Sequence, residues 1–175
     1  MITVGSATYD LFMRTTVPFA EQRPGDKVLV DHIEHSVGGG VINSAISLSN
    51  MGLKVAFLGK LGNDHNADLL LKILSKEKVD IIKTKRSDTP TSYSMILNST
   101  KDKDRIVFAY KGSADHLKAD DLAMSDIKAK WIYMGTMLGD SFRTCEKIAR
   151  YVKRNKIKLL FNPSLYLAAK GKKFL

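Results

Sequence analysis

The sequence predicts an α/β fold: three α/β/α layers around a mostly parallel sheet, with a small β-lid attached. Three observations carry that expectation. Short apolar runs alternate with helical patterns along the chain. Each run is apolar on both faces, as suits a strand covered by helices on both sides. Two segments, residues 10–36 and 91–111, break the alternation and read as strands with one wet face. At 175 residues the chain suits one domain with a proper core.

Taken in order, ITVGS opens as a β-branched first strand. Residues 10–36 then read as extended, with Leu11–Met13 and Lys27–Ile33 as strands separated by the turn-like RPGD. Apolar residues at three- and four-residue spacing predict helices over Gly40–Asn50, Asn66–Lys76 and Ser141–Lys153. Between them lie VAFLG (55–59), VDII (79–82), WIYMG (131–135) and IKLLF (157–161), each a buried strand. Residues 91–111 predict a hairpin, TSYSMILNS turning at TKDKD into RIVFAYKG. This is βαβ logic, and the two excursions together form the expected lid.

Composition narrows the function. A net charge of +10 invites nucleic-acid binding, but the lysines are scattered through KILSKEKVD, KTKR, VKRNKIK and KGKK. No aromatic interleaving or helix-turn-helix, zinc-finger or RNP pattern accompanies them, so no nucleic-acid partner is expected. No apolar run is long enough to cross a bilayer, and MITVGSATYD lacks the parts of a secretory signal. A single cysteine, Cys145, reads as a reduced core residue on a helix, and a cytoplasmic location is expected. The four histidines form no metal spacing, and His32 and His35 fall on opposite faces of their strand.

The most informative stretch is SVGGGVINSAISLSNMGLKVAFLGKLGND, Ser36 to Asp64. A P-loop is excluded, because Gly59-Lys60 is followed by leucine and lacks its upstream glycine. A dinucleotide fingerprint fits poorly, since Asn43 stands where its third glycine belongs and the first strand lies far upstream. That also makes a nicotinamide-dependent oxidoreductase a distant reading. What fits is a helix mouth whose bare amides admit a ligand close to the backbone at Gly38–Gly40. Asn43, one turn on, offers a donor and an acceptor suited to a hydroxyl. A plain glycine turn capped by Asn43 accounts for these residues equally well. Asp10 adds a carboxylate beyond the first strand, where open parallel sheets bind ligands and where it could accept from two adjacent hydroxyls. An Asx turn is the simpler reading of that aspartate.

In sum these motifs resemble the PfkB/ribokinase family of sugar and nucleoside kinases. The resemblance starts at GSATYD and strengthens where Gly38, Gly39, Asn43, Ala45, Gly52 and Gly62 occupy the places of the family signature. Val41 stands where the family prefers a small residue, and Gly40 where ribokinases often carry lysine. TPTSYSMIL, DRIVFAYKG, KGSADHL and LLFNPS follow in family order, so the likeness spans essentially the whole chain. It implies a ribokinase-like fold, ATP as phosphoryl donor, Mg²⁺ dependence, a sugar or nucleoside substrate and a homodimer through the lid. It also implies that Asp10, Gly39, Gly40 and Asn43 contact sugar hydroxyls. Arg105 and Tyr110, which read first as ordinary exposed strand residues, become lid candidates for closing over the sugar.

The family's N-x-x-E and G-A-G-D segments do not occur; Leu165 stands where a glutamate would follow Asn162. In relatives the latter turn forms the anion hole and carries the catalytic base. Residues 1–175 are therefore expected to be the N-terminal, substrate-binding part of one domain. Its catalytic part is absent, so the chain alone is expected to be inactive, with an apolar sheet edge left open. A non-catalytic sugar-binding module or pseudokinase is the alternative. Ribose, fructose, a ketodeoxy sugar acid and a nucleoside all remain open as substrate.

Overall fold

In the computed structural model, residues 1–82 and 84–171 are described. Residue 83 in the KTKR run, and residues 172–175 at the end of GKKFL, lie outside them. A five-stranded sheet forms the body. Its strands are β1 (Ile2–Val4), β4 (Val55–Leu58), β5 (Val79–Ile81), β8 (Trp131–Met134) and β9 (Lys158–Phe161). Their order is β5-β4-β1-β8-β9, and every pair is parallel.

Period-two alternation sends side chains to two separate cores, one on each face of this sheet. On one face, Val55 and Phe57 meet Ile42 and Ala45 of α1 (Gly40–Asn50) and Leu70 and Leu74 of α2 (His65–Lys76). On the other, Ile2, Val4, Leu58 and Ile132 meet Cys145, Ile148 and Val152 of α3 (Gly139–Arg154). A short helix, α4 (Leu165–Ala168), follows β9. Helix, sheet and helix layers are the expected architecture, and the body strands and three long helices fall within two residues of their sequence expectations.

The lid is a second sheet of β2 (Thr8–Thr15), β3 (His32–Gly38), β6 (Ser92–Ser99) and β7 (Asp104–Tyr110), in the order β3-β2-β6-β7. The β6–β7 hairpin is antiparallel as expected, and β2 joins it in parallel, Asp10 opposite Ser94. One boundary differs. Lys27–Asp31 is not strand; β3 begins at His32 and runs up to Gly38. That shift follows from pairing, because Thr8 needs Gly38 as its partner and Arg14 takes His32. The connecting loop is held by local bonds: the Thr15 hydroxyl donates to the Leu29 carbonyl at 2.9 Å, and Arg14 pairs with Asp31 at 2.8 Å.

The lid roots are pinned to the body. Asp64 caps α2 by accepting from the Ala67 amide, and its carboxylate also takes the Thr91 amide (2.6 Å) and hydroxyl (2.8 Å) just before β6. Burial alone would raise the Asp64 pKa, but the Thr91 and Ala67 bonds and the Arg86 charge hold it below the usual range. Nearby, Lys60 donates to Asp121 at 2.6 Å, with their side chains only 9% and 8% exposed. Cys145 is buried as expected, and burial pushes its thiol pKa up to about 12. Among the described residues no helix is long and apolar enough to cross a membrane.

Candidate functional site

Where lid and body meet, beyond the carboxyl ends of β1 and β8, lies an open cleft of about 460 Å³. This is the place at which a parallel sheet offers strand ends and loop groups to a ligand. One wall is the lid: Thr8 and Asp10 of β2, Ser94 of β6, Val107 and Ala109 of β7, and Lys111 just beyond it. The other wall is the body, with Ser6, the start of α1 at Gly39–Val41, Gly135–Thr136 just after β8, and Asn162–Ser164 after β9.

Asp10 is half-buried. Burial pushes its carboxyl above the usual carboxylate range, opposed in part by a hydrogen bond from the Ser94 side chain. Its placement depends on Gly38, since an added Cβ there would land inside the Asp10 carboxylate. Gly39 serves backbone direction. At φ 91° it sits in the left-handed region, where a Cβ would also crowd the Ser6 carbonyl. That turn swings the chain from β3 into α1, so that Gly39, Gly40 and Val41 at the helix start line the cleft. Gly40 lines the cleft, and a Cβ there would meet nothing. Val41, the departure from the small residue expected at this place, wedges its side chain where Gly5 and Gly135 leave room.

Asp10, Gly39 and Gly40 are thus brought together. Asn43 is not among the cleft-lining residues; it lies exposed one turn into α1, its amide bonded to the Gly39 carbonyl at 3.0 Å. Arg105 shares the lid face of Ala109 and Val107 but stands beyond the cleft, paired with Asn98. Tyr110, five residues on and opposite Tyr93, points to the other face of the lid. Several lining residues were not picked out from the sequence. Ser94 could have been found by counting alternation along β6; Thr136 and Asn162 could not, because only the β1–β8–β9 pairing brings them there. Tyr133 and Asn162 are joined side chain to side chain at 2.8 Å, and the Ser164 hydroxyl is buried without a partner among the described residues. The arrangement provides one carboxylate, a glycine-bearing helix start and several hydroxyl-bearing residues around a polar space, which is chemistry suited to a polyhydroxylated molecule.

Comparison with known proteins agrees with this class. The profile of the pfkB family carbohydrate kinases matches residues 3–173, and the chain belongs to that family. A 5-dehydro-2-deoxygluconokinase from Clostridium perfringens is 27% identical over 173 residues, 93% of this chain and 48% of the relative. Mouse ketohexokinase is 31% identical over 101 residues, 55% of this chain and 33% of that enzyme. Among solved structures, ribokinase from Giardia lamblia superposes with a TM-score of 0.82 at 21% identity, over 94% of this chain and 55% of that one. A fructokinase from Xylella fastidiosa solved with bound ATP gives 0.77 at 16% identity, over 94% and 51%. The fold is therefore ribokinase-like, and the chain spans about half the length of relatives matched along nearly all of it.

Proposed function

We propose that this chain supplies the substrate-binding side of a PfkB/ribokinase-type kinase that transfers the γ-phosphoryl group of ATP to a hydroxyl of a sugar or nucleoside. The observation that carries the reading is the cleft shared by Asp10 and the start of α1 at Gly39, Gly40 and Val41. Asp10 accepts hydrogen bonds from adjacent hydroxyls, each charge-assisted bond contributing roughly 1.5–3 kcal/mol. Gly39 and Gly40 let the ring approach the backbone unshielded. Asn43 and Arg105 reach the substrate once the lid has closed over it; Tyr110 serves the lid's far face instead.

ATP is the donor in this reading, with Mg²⁺ implied by the family. Among the described residues no group of three or more His, Cys, Asp or Glu could hold a metal ion. These residues by themselves do not make a Mg²⁺ site, and no step is routed through one. The base for the attacking hydroxyl and the triphosphate cradle belong, on this proposal, to a G-A-G-D segment outside this chain. The reading is of a cytoplasmic enzyme acting on a small molecule, with no nucleic-acid or membrane partner.

A homodimer through the lid belongs to the same proposal. Three cross-strand rows share the lid face turned from the cleft: Ile33–Met13–Leu97–Ile106, His35–Leu11–Met95–Phe108 and Val37–Tyr9–Tyr93–Tyr110. Ile33 (56%), Phe108 (54%) and Tyr110 (49%) remain widely exposed, a continuous apolar face of the kind a second copy covers.

An ATP-turnover assay over ribose, fructose, gluconate and adenosine tests the reading. The chain is expected to bind one of them without turnover, and appreciable turnover would overturn the assignment of the base to another segment. The second reading is a non-catalytic sugar-binding module or pseudokinase. An in-frame G-A-G-D segment downstream in the gene supports the kinase, and its absence supports the module.

A further inference from the structure

The body wall of the cleft carries a pair of side chains that the role proposed for Asp10 leaves unused. Tyr133 lies opposite Leu160 in the β8–β9 register, so Asn162, two residues after Leu160, returns to the same face of the sheet. Both line the cleft. There the side-chain amide of Asn162 (Nδ2) donates to the Tyr133 hydroxyl oxygen at 2.8 Å. Tyr133 also packs against the core on the α1 side of the sheet, which fixes where that oxygen sits.

A phenol that accepts one hydrogen bond still has its own proton to give. Among the described residues nothing takes the Tyr133 proton, and its oxygen is engaged by Asn162 alone. Other hydroxyls of the cleft are committed within the protein. Ser94 hydrogen-bonds Asp10, and Thr136 turns toward the Asn162 carbonyl at 3.5 Å while receiving the Ser164 amide. With Asn162 holding one side of its oxygen, Tyr133 presents an oriented donor rather than a rotating one. That donor complements Asp10. A carboxylate only accepts, so it reads the O–H groups of a polyol and has nothing to offer a bare oxygen lone pair such as that of a ring oxygen.

We propose that Tyr133 is a substrate-binding residue whose hydroxyl, oriented by Asn162, donates to a substrate oxygen from the wall opposite Asp10. Asn162 acts through Tyr133 as a positioning residue. This rests on the assignment of the cleft as the polyol site and adds a donor contact to it.

The test is calorimetric titration of the whole chain with neutral probes, D-ribose, D-fructose and adenosine, in wild type, Tyr133→Phe, Asn162→Asp and the double variant. Phenylalanine keeps the packed ring and removes only the hydroxyl. The probe that binds wild type tightest should lose about three- to tenfold in affinity in Tyr133→Phe, the worth of one neutral hydrogen bond. The urea midpoint should stay where it is, because water takes the vacated place beside Asn162 in this open cleft. In Asn162→Asp the new carboxylate accepts the phenol proton for itself. Tyr133→Phe should then change affinity by no more than about twofold in that background. Unchanged affinity in Tyr133→Phe, an undiminished loss in the Asn162→Asp background, or a urea midpoint that falls along with affinity would overturn the inference while keeping the polyol site. Asp10→Ala, titrated alongside, reports on the cleft itself. If it leaves binding intact, or if none of the probes binds wild type, the polyol site fails and the inference falls with it.

Discussion

Gly38→Ala isolates the geometry that holds the candidate site together. Gly38 is an extended β3 residue outside the left-handed region, so alanine is compatible with its backbone. What alanine meets is the Asp10 carboxylate, which occupies the space of the missing Cβ. The carboxylate must swing away, giving up its Ser94 hydrogen bond. Overpacking of this kind costs about 1–3 kcal/mol of stability. If Asp10 also holds two hydroxyls at roughly 1.5–3 kcal/mol each, sugar affinity falls by about two orders of magnitude or more. Urea denaturation of wild type, Gly38→Ala, Asp10→Ala and the double variant measures the contribution of the pair. Removing the carboxylate removes the obstruction, so Gly38→Ala should cost almost nothing in the Asp10→Ala background. A coupling energy below about 0.5 kcal/mol would refute the reasoning.

Other expectations follow from the same structure. Asp121→Asn should destabilise the chain by about 3–5 kcal/mol, because it leaves Lys60 charged and buried without its partner. Burial alone would raise the Asp121 pKa. The Lys60 and Lys118 hydrogen bonds, with the charges of Lys60 and Lys85, hold it below the ordinary value. Its contribution is therefore full above the unfolded carboxylate pKa of about 3.9 and is lost as pH falls through the lower folded value; pH-dependent denaturation of wild type and Asp121→Asn checks the difference. Asp10 has the opposite sign, since burial raises its pKa. Sugar affinity should begin to fail at a higher pH than for an ordinary carboxylate, while protonation there favours the folded state; titrating affinity against pH reads the midpoint. Cys145 should resist a thiol reagent at neutral pH until the chain unfolds, given its burial and its pKa of about 12; rapid labelling of the native chain would contradict this.

Much of the fold is legible in the sequence because each body strand carries its own evidence. VAFLG or WIYMG is apolar on both faces wherever it is read, and the helices between them repeat every three or four residues. The lid is less legible. Lys27–Val30 is as β-prone as the true strand, and what excludes it is a pairing partner: β2 already pairs with β3 from Arg14 to Thr8. The parallel union of β2 with β6 links segments some eighty residues apart, a distance that no local pattern encodes.

The site divides the same way. Asp10 and the glycines stand out because a carboxylate at a strand end and bare backbone at a helix mouth are unusual locally. Ser94 follows from alternation along β6, whereas Thr136 and Asn162 reach the cleft only through registers between strands. Arg105 and Tyr110 teach a narrower lesson. They are five residues apart in one strand, so a period of two sends them to opposite faces and only one could look toward the cleft.

Among the described residues β9 pairs with β8 alone, and Leu160 in it is 51% exposed. An open, apolar parallel edge is a place where further strand pairing is favourable.

The sharpest trial of the account is nuclear magnetic resonance of the labelled chain during titration with whichever of ribose, fructose, gluconate or adenosine binds tightest. The Asp10 carboxyl carbon and the backbone amides of Gly39, Gly40 and Val41 should shift together along one saturation curve, and Asp10→Asn should flatten all four. Amides that respond with a different midpoint, or a carboxyl that stays still while ligand binds, would show that strand end and helix mouth do not share one ligand.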